Sequence, residues 1–191
     1  RLLVPSAKAT DQVVVYNGDT GQRLRTVGGT GTAPGQLQRP NGVATIDDRY
    51  LFVVERDNHR VQMFELPGFT PLLAFGAGTL QQPYGLWVQR NGDGYEVLVS
   101  DAYMAGEDAQ GEDIVPPLAE LGRRFHRFVL SRSGDTWLAS EAGTFGDTTA
   151  AGAIRVPESL FGDAANNRLL VAEEDVPAGT VLGGEALPGP Y

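Results

Sequence analysis

The sequence predicts an all-β protein built from four-stranded antiparallel blades, and three observations support this. A unit of loop, strand, turn and apolar strand recurs along the chain, with a proline at Pro40, Pro83 and Pro157. Gly and Pro, with 25 and 12 copies, separate short β-rich runs in the way that turn residues do. Pro40 and Pro83 are 43 residues apart, which is the length of one propeller blade. The sequence therefore predicts a β-propeller.

The apolar strand of each unit ends in a carboxylate. This residue is Glu55 in the first copy, Asp101 in the second, and Glu173, followed by Glu174, in the third. In a propeller, equivalent positions lie around a ring near the axis, so we expect these carboxylates to converge from successive blades. Their mutual repulsion favours a cation between them, and Ca²⁺ prefers several hard oxygen ligands. The alternative is that they cap turns through backbone hydrogen bonds.

The remaining strands follow from turn signals and from the repeat. Asn17-Gly18 lies between two β-rich runs and predicts a hairpin that closes an earlier blade. A third strand follows the apolar strand in the first two copies and contains His59 and His126, respectively. These are the two histidines of the chain, and we expect them at one repeat position with a shared structural task.

The repeat divides the chain into segments of one propeller. We expect residues 1–32 to end an earlier blade, 33–76 to form a blade, 77–147 to form a blade with an inserted loop at 102–122, and 148–191 to form an incomplete blade. The count is roughly three and a half blades, whereas a closed ring needs about four to eight. We therefore expect part of a larger propeller. The alternative is an open half-propeller that self-associates through its open edge.

Composition excludes several classes of partner. A net charge of −9 argues against nucleic acid or an anionic membrane as the main partner. The chain has no cysteine, which excludes thiol nucleophiles and Cys-ligated zinc. No apolar run approaches the roughly 20 residues of a membrane helix, so we expect no membrane insertion. No signal peptide is visible, although we expect a secreted or periplasmic location.

The segment RPNGV at 39–43, followed by residues 53–64, resembles an NHL repeat. This resemblance implies a propeller but no single activity, because such blades serve protein binding, RNA binding and hydrolysis alike. It supports the hypothesis of a non-catalytic scaffold that binds a protein or carbohydrate partner.

A second resemblance covers more of the chain. Residues 3–8 followed by 14–21 are similar to the first blade of bacterial β-propeller phytases, and residues 84–99 are similar to a middle blade. Residues 163–175 resemble the phytase segment whose apolar strand ends in Ala-Glu-Glu-Asp. The resemblance implies a six-bladed, calcium-dependent 3-phytase-like phosphatase acting on inositol hexakisphosphate.

Few functional residues carry over from this family. Lys8 matches a lysine that faces the phosphate site, and Glu173 and Glu174 match an acidic pair that helps to hold calcium. Around Asn41 and Val43 the chain lacks the aspartate and arginine of the family pattern. This departure favours the scaffold hypothesis.

The predicted chemistry combines these residues. A water activated by Ca²⁺ would attack the phosphorus of a phosphorylated small molecule such as phytate, and Lys8 or Arg56 would neutralise charge. Glu173 is assigned to catalysis as well as to the metal. A lactonase-like calcium propeller is a further alternative. The predicted calcium ligands are Glu55, Asp101, Glu173 and Glu174.

Overall fold

The structure is a computed structural model, and it describes residues 2–6, 10–101, 106–107, 113–114, 124–146, 157–163 and 168–173. All regular elements in these residues are β-strands, as predicted, and the strands within each sheet are antiparallel. The same residues contain no helix that is long and apolar enough to span a membrane.

Four sheets follow one another along the chain, and the described strands of each sheet lie side by side in chain order. Sheet 1 contains β1 (Leu2–Ser6), β2 (Gln12–Tyr16) and β3 (Arg23–Gly28). Sheet 2 contains β4 (Pro40–Ile46), β5 (Tyr50–Glu55), β6 (Arg60–Glu65) and β7 (Thr70–Phe75). Sheet 3 contains β8 (Pro83–Asn91), β9 (Gly94–Asp101), β12 (Arg124–Ser133) and β13 (Thr136–Phe145). Sheet 4 contains β14 (Pro157–Asp163) and β15 (Arg168–Glu173).

The sequence repeat is also a repeat of strand register. In sheets 2, 3 and 4 the first strand begins at the repeated proline, and the second strand ends at the repeated carboxylate. These two residues pair across the ladder in every case: Pro40 with Glu55, Pro83 with Asp101 and Pro157 with Glu173. A register shift follows the proline each time, so the first strand carries the same irregularity at the same place.

Two further predictions are confirmed. Strands β2 and β3 form the hairpin at Asn17, whose side-chain oxygen accepts hydrogen bonds from the backbone N–H groups of Asp19 (2.9 Å) and Thr20 (3.1 Å). Strand β9 pairs directly with β12 although residues 102–123 separate them. This insertion carries a short hairpin of β10 (Gly106–Glu107) and β11 (Asp113–Ile114).

The core lies between successive sheets. Strand β5 is buried on both faces, which explains why its sequence is a continuous apolar run rather than an alternation. Leu51 and Val53 belong to the cluster shared with sheet 1, whereas Phe52 and Val54 belong to the cluster shared with sheet 3.

Aromatic residues fill the space between sheets 2 and 3, as the sequence predicts for Trp137. Its ring lies 5.6 Å from that of Tyr50 and 5.5 Å from that of Tyr95, and the indole is 6% exposed. The other tryptophan, Trp87, lies against Gly162 of sheet 4 and fills the next gap. Both tryptophans therefore serve packing between sheets.

The first strands of sheets 2, 3 and 4 approach one another closely: β4 packs on β8, and β8 packs on β14. A glycine two residues after the repeated proline permits this. A Cβ atom on Gly42 would lie 2.6 Å from the carbonyl oxygen of Tyr84, and one on Gly85 would lie 2.6 Å from that of Glu158. In sheet 4 the same position is Ser159.

Candidate functional site

The strand-end carboxylate of sheet 2 is fully buried and hydrogen-bonded on both oxygens. Oε1 of Glu55 accepts from Nε of Arg60 at 2.7 Å and from Nε2 of Gln62 at 2.6 Å. Oε2 accepts from the backbone N–H of Gln38 at 3.1 Å and from Nδ2 of Asn58 at 2.6 Å. Because a buried charge is costly unless it is paired and hydrogen-bonded, this arrangement explains how the carboxylate is accommodated at 0% exposure.

The partners of Glu55 also hold the loop that enters sheet 2. The Arg60 guanidinium donates to the carbonyl oxygens of Thr32 (2.7 Å) and Gln36 (3.1 Å). Gln62 donates to the carbonyl of Gln36 at 2.7 Å and accepts from the N–H of Gly35 at 3.0 Å. We call this arrangement, in which a strand-end carboxylate and a third-strand side chain fasten the preceding loop, the carboxylate latch.

Sheet 3 has a carboxylate latch of the same design with different residues. Asp101 is 2% exposed and accepts from the backbone N–H groups of Gln81 (2.8 Å) and Gln82 (2.6 Å). Its Oδ2 also lies 3.3 Å from Nε2 of His126. Gln81 follows Leu80 as Gln38 follows Leu37, so both latches hold the same point of the repeated loop.

Strand register corrects the predicted equivalence of the two histidines. His126 pairs with Val99, two residues before Asp101, whereas the residue that pairs two positions before Glu55 is Gln62. His126 is therefore the counterpart of Gln62. His59 lies in the turn before β6, with φ of 53°, and its Nδ1 contacts the carbonyl oxygen of Gln81. The prediction was wrong because the insertion before β12 obscured the alignment of the third strands.

His126 lies between two carboxylates. Its Nδ1 is 2.8 Å from Oε1 of Glu141, on the opposite side of the ring from Asp101, and Phe128 stacks on it with ring centroids 6.3 Å apart. Burial lowers the pKa of His126, but hydrogen bonds to Asp101 and Glu141 together raise it by more, so its pKa lies above the ordinary value of 6.5. This raised pKa favours an imidazolium that donates to both carboxylates.

Arg56, a predicted catalytic residue, lies in a contact between sheets 2 and 3. It is 4% exposed, and its Nη2 donates to Oε1 of Gln82 at 3.3 Å. Its guanidinium carbon is 5.2 Å from the centroid of the Tyr84 ring, a cation–π distance. The side chain therefore links the end of β5 to the start of β8.

The other predicted site residues are placed only in part. Strand β15 ends at Glu173, in register with Glu55 and Asp101, but the side chain of Glu173 lies outside the described residues. Lys8 and Glu174 also lie outside them. Among the residues that are described, no group of three or more His, Asp or Glu side chains could hold a metal ion.

A groove of about 620 Å³ lies between sheets 1 and 2, and sequence analysis missed it. It has mostly apolar walls, with Asp48 as the single charged residue. No sequence signal could have located it, because its walls come from β1, β4 and two separate turns. The lining residues are Leu3, Val43, Ala44, Thr45, Asp48, Leu66, Pro67 and Phe69.

Comparison with known proteins adds no assignment to this geometry. A scan against protein-family models finds no match, and a search of curated proteins finds none at a significant level. The function of the chain is therefore inferred from its own residues.

Proposed function

We propose that the four sheets are consecutive blades of a β-propeller, part of a six-bladed ring. The close contact of β4 with β8 and of β8 with β14 supports this, because the innermost strands of neighbouring blades approach most closely near a propeller axis. The glycines at Gly42 and Gly85, which permit that contact, recur at one position of the repeat.

We propose that the chain belongs to a phytase-like, calcium-dependent phosphomonoester hydrolase acting on inositol phosphates. The observation that carries this proposal is Glu173, which ends β15 at the register position of Glu55 and Asp101 and begins the acidic pair of the phytase-like segment. A calcium-dependent enzyme suits a calcium-rich space, so we propose a secreted or periplasmic location.

The carboxylate latches narrow the proposed calcium site. Both oxygens of Glu55 and of Asp101 already accept hydrogen bonds from their own sheet, so these two residues do not fit a metal site. We therefore propose Glu173 and Glu174 as the calcium ligands. Calcium held there would supply the positive charge that an acidic chain needs to bind a polyphosphate.

The cationic residues have separate proposed roles. We propose that Lys8, which the family resemblance places near phosphate, neutralises charge on the substrate. Arg56 is directed to Gln82 and Tyr84, so we assign it to the contact between sheets instead of to substrate.

Phosphate release from phytate tests the enzyme proposal. We expect release that a chelator abolishes and added calcium restores, and we expect Glu173→Gln combined with Glu174→Gln to remove it. Glu158→Gln, which changes an exposed glutamate on the neighbouring strand, is the matched control and should retain activity. Absence of phosphate release by the unsubstituted chain at every calcium concentration would refute the proposal. Lactone substrates tested in parallel separate a lactonase-like activity.

The second candidate function is a non-catalytic NHL-type scaffold that binds a protein or carbohydrate. The observation that favours it is that Glu55 and Asp101 both serve the carboxylate latches. A scaffold of this kind should show no calcium-dependent rise in melting temperature, whereas an enzyme that binds calcium in its folded state should be stabilised by it.

A further inference from the structure

The two faces of each sheet have different partners. We call the face toward the preceding sheet in the chain the front face, and the face toward the following sheet the back face. Val53 and Val99, two residues before the repeated carboxylate, lie on front faces and are fully buried. Phe52 and Leu98, three residues before it, lie on back faces and are 0% and 7% exposed.

The same register positions are exposed at the two ends of the series. Leu170 of sheet 4 is equivalent to Phe52 and Leu98, and it pairs across the strands with Phe161. Phe161 and Leu170 are 64% and 56% exposed. In sheet 1, Val4 lies two residues before Ser6, which ends β1, and it is 38% exposed.

We propose that a second copy of this chain covers these faces, with the front face of sheet 1 packed on the back face of sheet 4. A back face meets a front face at each packed pair of sheets within the chain, so a contact between copies would continue that series. Two copies related by a twofold axis would make this contact twice and close on themselves.

Ser159 favours sheet 1 as the occupant. Gly42 and Gly85 stand where the first strand of the next sheet approaches within contact distance of the backbone, and sheet 4 has a serine at that position. Among the described residues, sheet 1 begins with the strand equivalent to β5 and brings no strand equivalent to β8 or β14. A sheet of this composition can pack on sheet 4 without needing the glycine.

This inference depends on sheet packing and not on phosphatase activity. A dimer that releases no phosphate would support the inference and count against the enzyme, whereas an active monomer would do the reverse.

The test is sedimentation of the unsubstituted chain and of two variants, each altered on one face. We expect a dimer for the unsubstituted chain and monomers for Phe161→Glu and for Val4→Glu, with a dissociation constant raised by roughly tenfold or more. An equimolar mixture of the two variants should form a dimer, because the intact back face of one can pack on the intact front face of the other. Leu138→Glu, at a leucine that is 53% exposed on β13, is the control and should remain dimeric.

Three results would overturn the inference. The unsubstituted chain could be monomeric at all concentrations, or Val4→Glu could dimerise like the unsubstituted chain, or the mixture could remain monomeric. Circular dichroism of each variant establishes that it is folded before it is scored.

Discussion

Glu55 and Asp101 show how one repeat position can keep its task while its chemistry changes. Each carboxylate fastens the loop that enters its own sheet, but Glu55 is balanced by Arg60 and Gln62, whereas Asp101 contacts His126. An arginine retains its charge at any ordinary pH, and a histidine does not. The two carboxylate latches should therefore respond differently to substitution and to pH.

Replacing Glu55 with glutamine should destabilise the chain strongly. The Arg60 guanidinium is 12% exposed and would lose its charged partner, which costs about 3 kcal/mol for a buried pair. The free energy of unfolding in urea measures this loss. Glu65→Gln breaks the solvent-exposed pair with Arg49 and should leave that free energy nearly unchanged. Equal effects of the two substitutions would contradict the role assigned to Glu55.

His126 should make stability depend on pH. Because its folded-state pKa lies above its ordinary value of 6.5, the stabilisation it provides is complete below pH 6.5 and is lost as the pH rises through the folded-state pKa. We expect the melting temperature to fall over that range. His126→Gln, which introduces the residue type of sheet 2, should remove this fall, whereas His59→Gln should retain it. An unchanged profile for His126→Gln would refute this explanation.

At the scale of elements, the sequence predicts most strand ends correctly because the residues that end them have local causes. Proline starts β4, β8 and β14, and a hydrogen-bonded carboxylate ends β5, β9 and β15. The register of β12 could not be predicted in the same way. It depends on where the chain returns after an insertion, and Arg124 opposite Asp101 marks that point only in the structure.

The glycines of the first strands should tolerate no side chain. In Gly85→Ala the new Cβ would lie 2.6 Å from the carbonyl oxygen of Glu158, so β14 must move, at a cost of about 1–3 kcal/mol. Thermal unfolding measures the effect. Gly68→Ala is the control, since its nearest neighbour is the side-chain oxygen of Thr70 at 3.3 Å. A loss no greater than that of Gly68→Ala would show that β14 does not pack on Gly85.

At the scale of the whole molecule, the repeat period predicts the series of sheets but not the surfaces that the series leaves open. The groove beside Leu3 and the exposed pair of Phe161 and Leu170 combine residues from distant parts of the chain or from opposite strands. Their exposure depends on which neighbours are present. The calcium site likewise could be proposed from residue type, whereas the engagement of Glu55 and Asp101 required the positions of their donors.

The carboxylate latches also affect how such a chain can change during evolution. The donors to Glu55 lie within residues 38–62, and the donors to Asp101 lie within residues 81–126. Each repeat unit therefore balances its own most deeply buried carboxylate. Duplicating or deleting a whole unit would leave no such carboxylate without its donors. Shuffling of single strands would separate acceptor from donor, so the unit of inheritance should be the whole sheet together with the loop that precedes it.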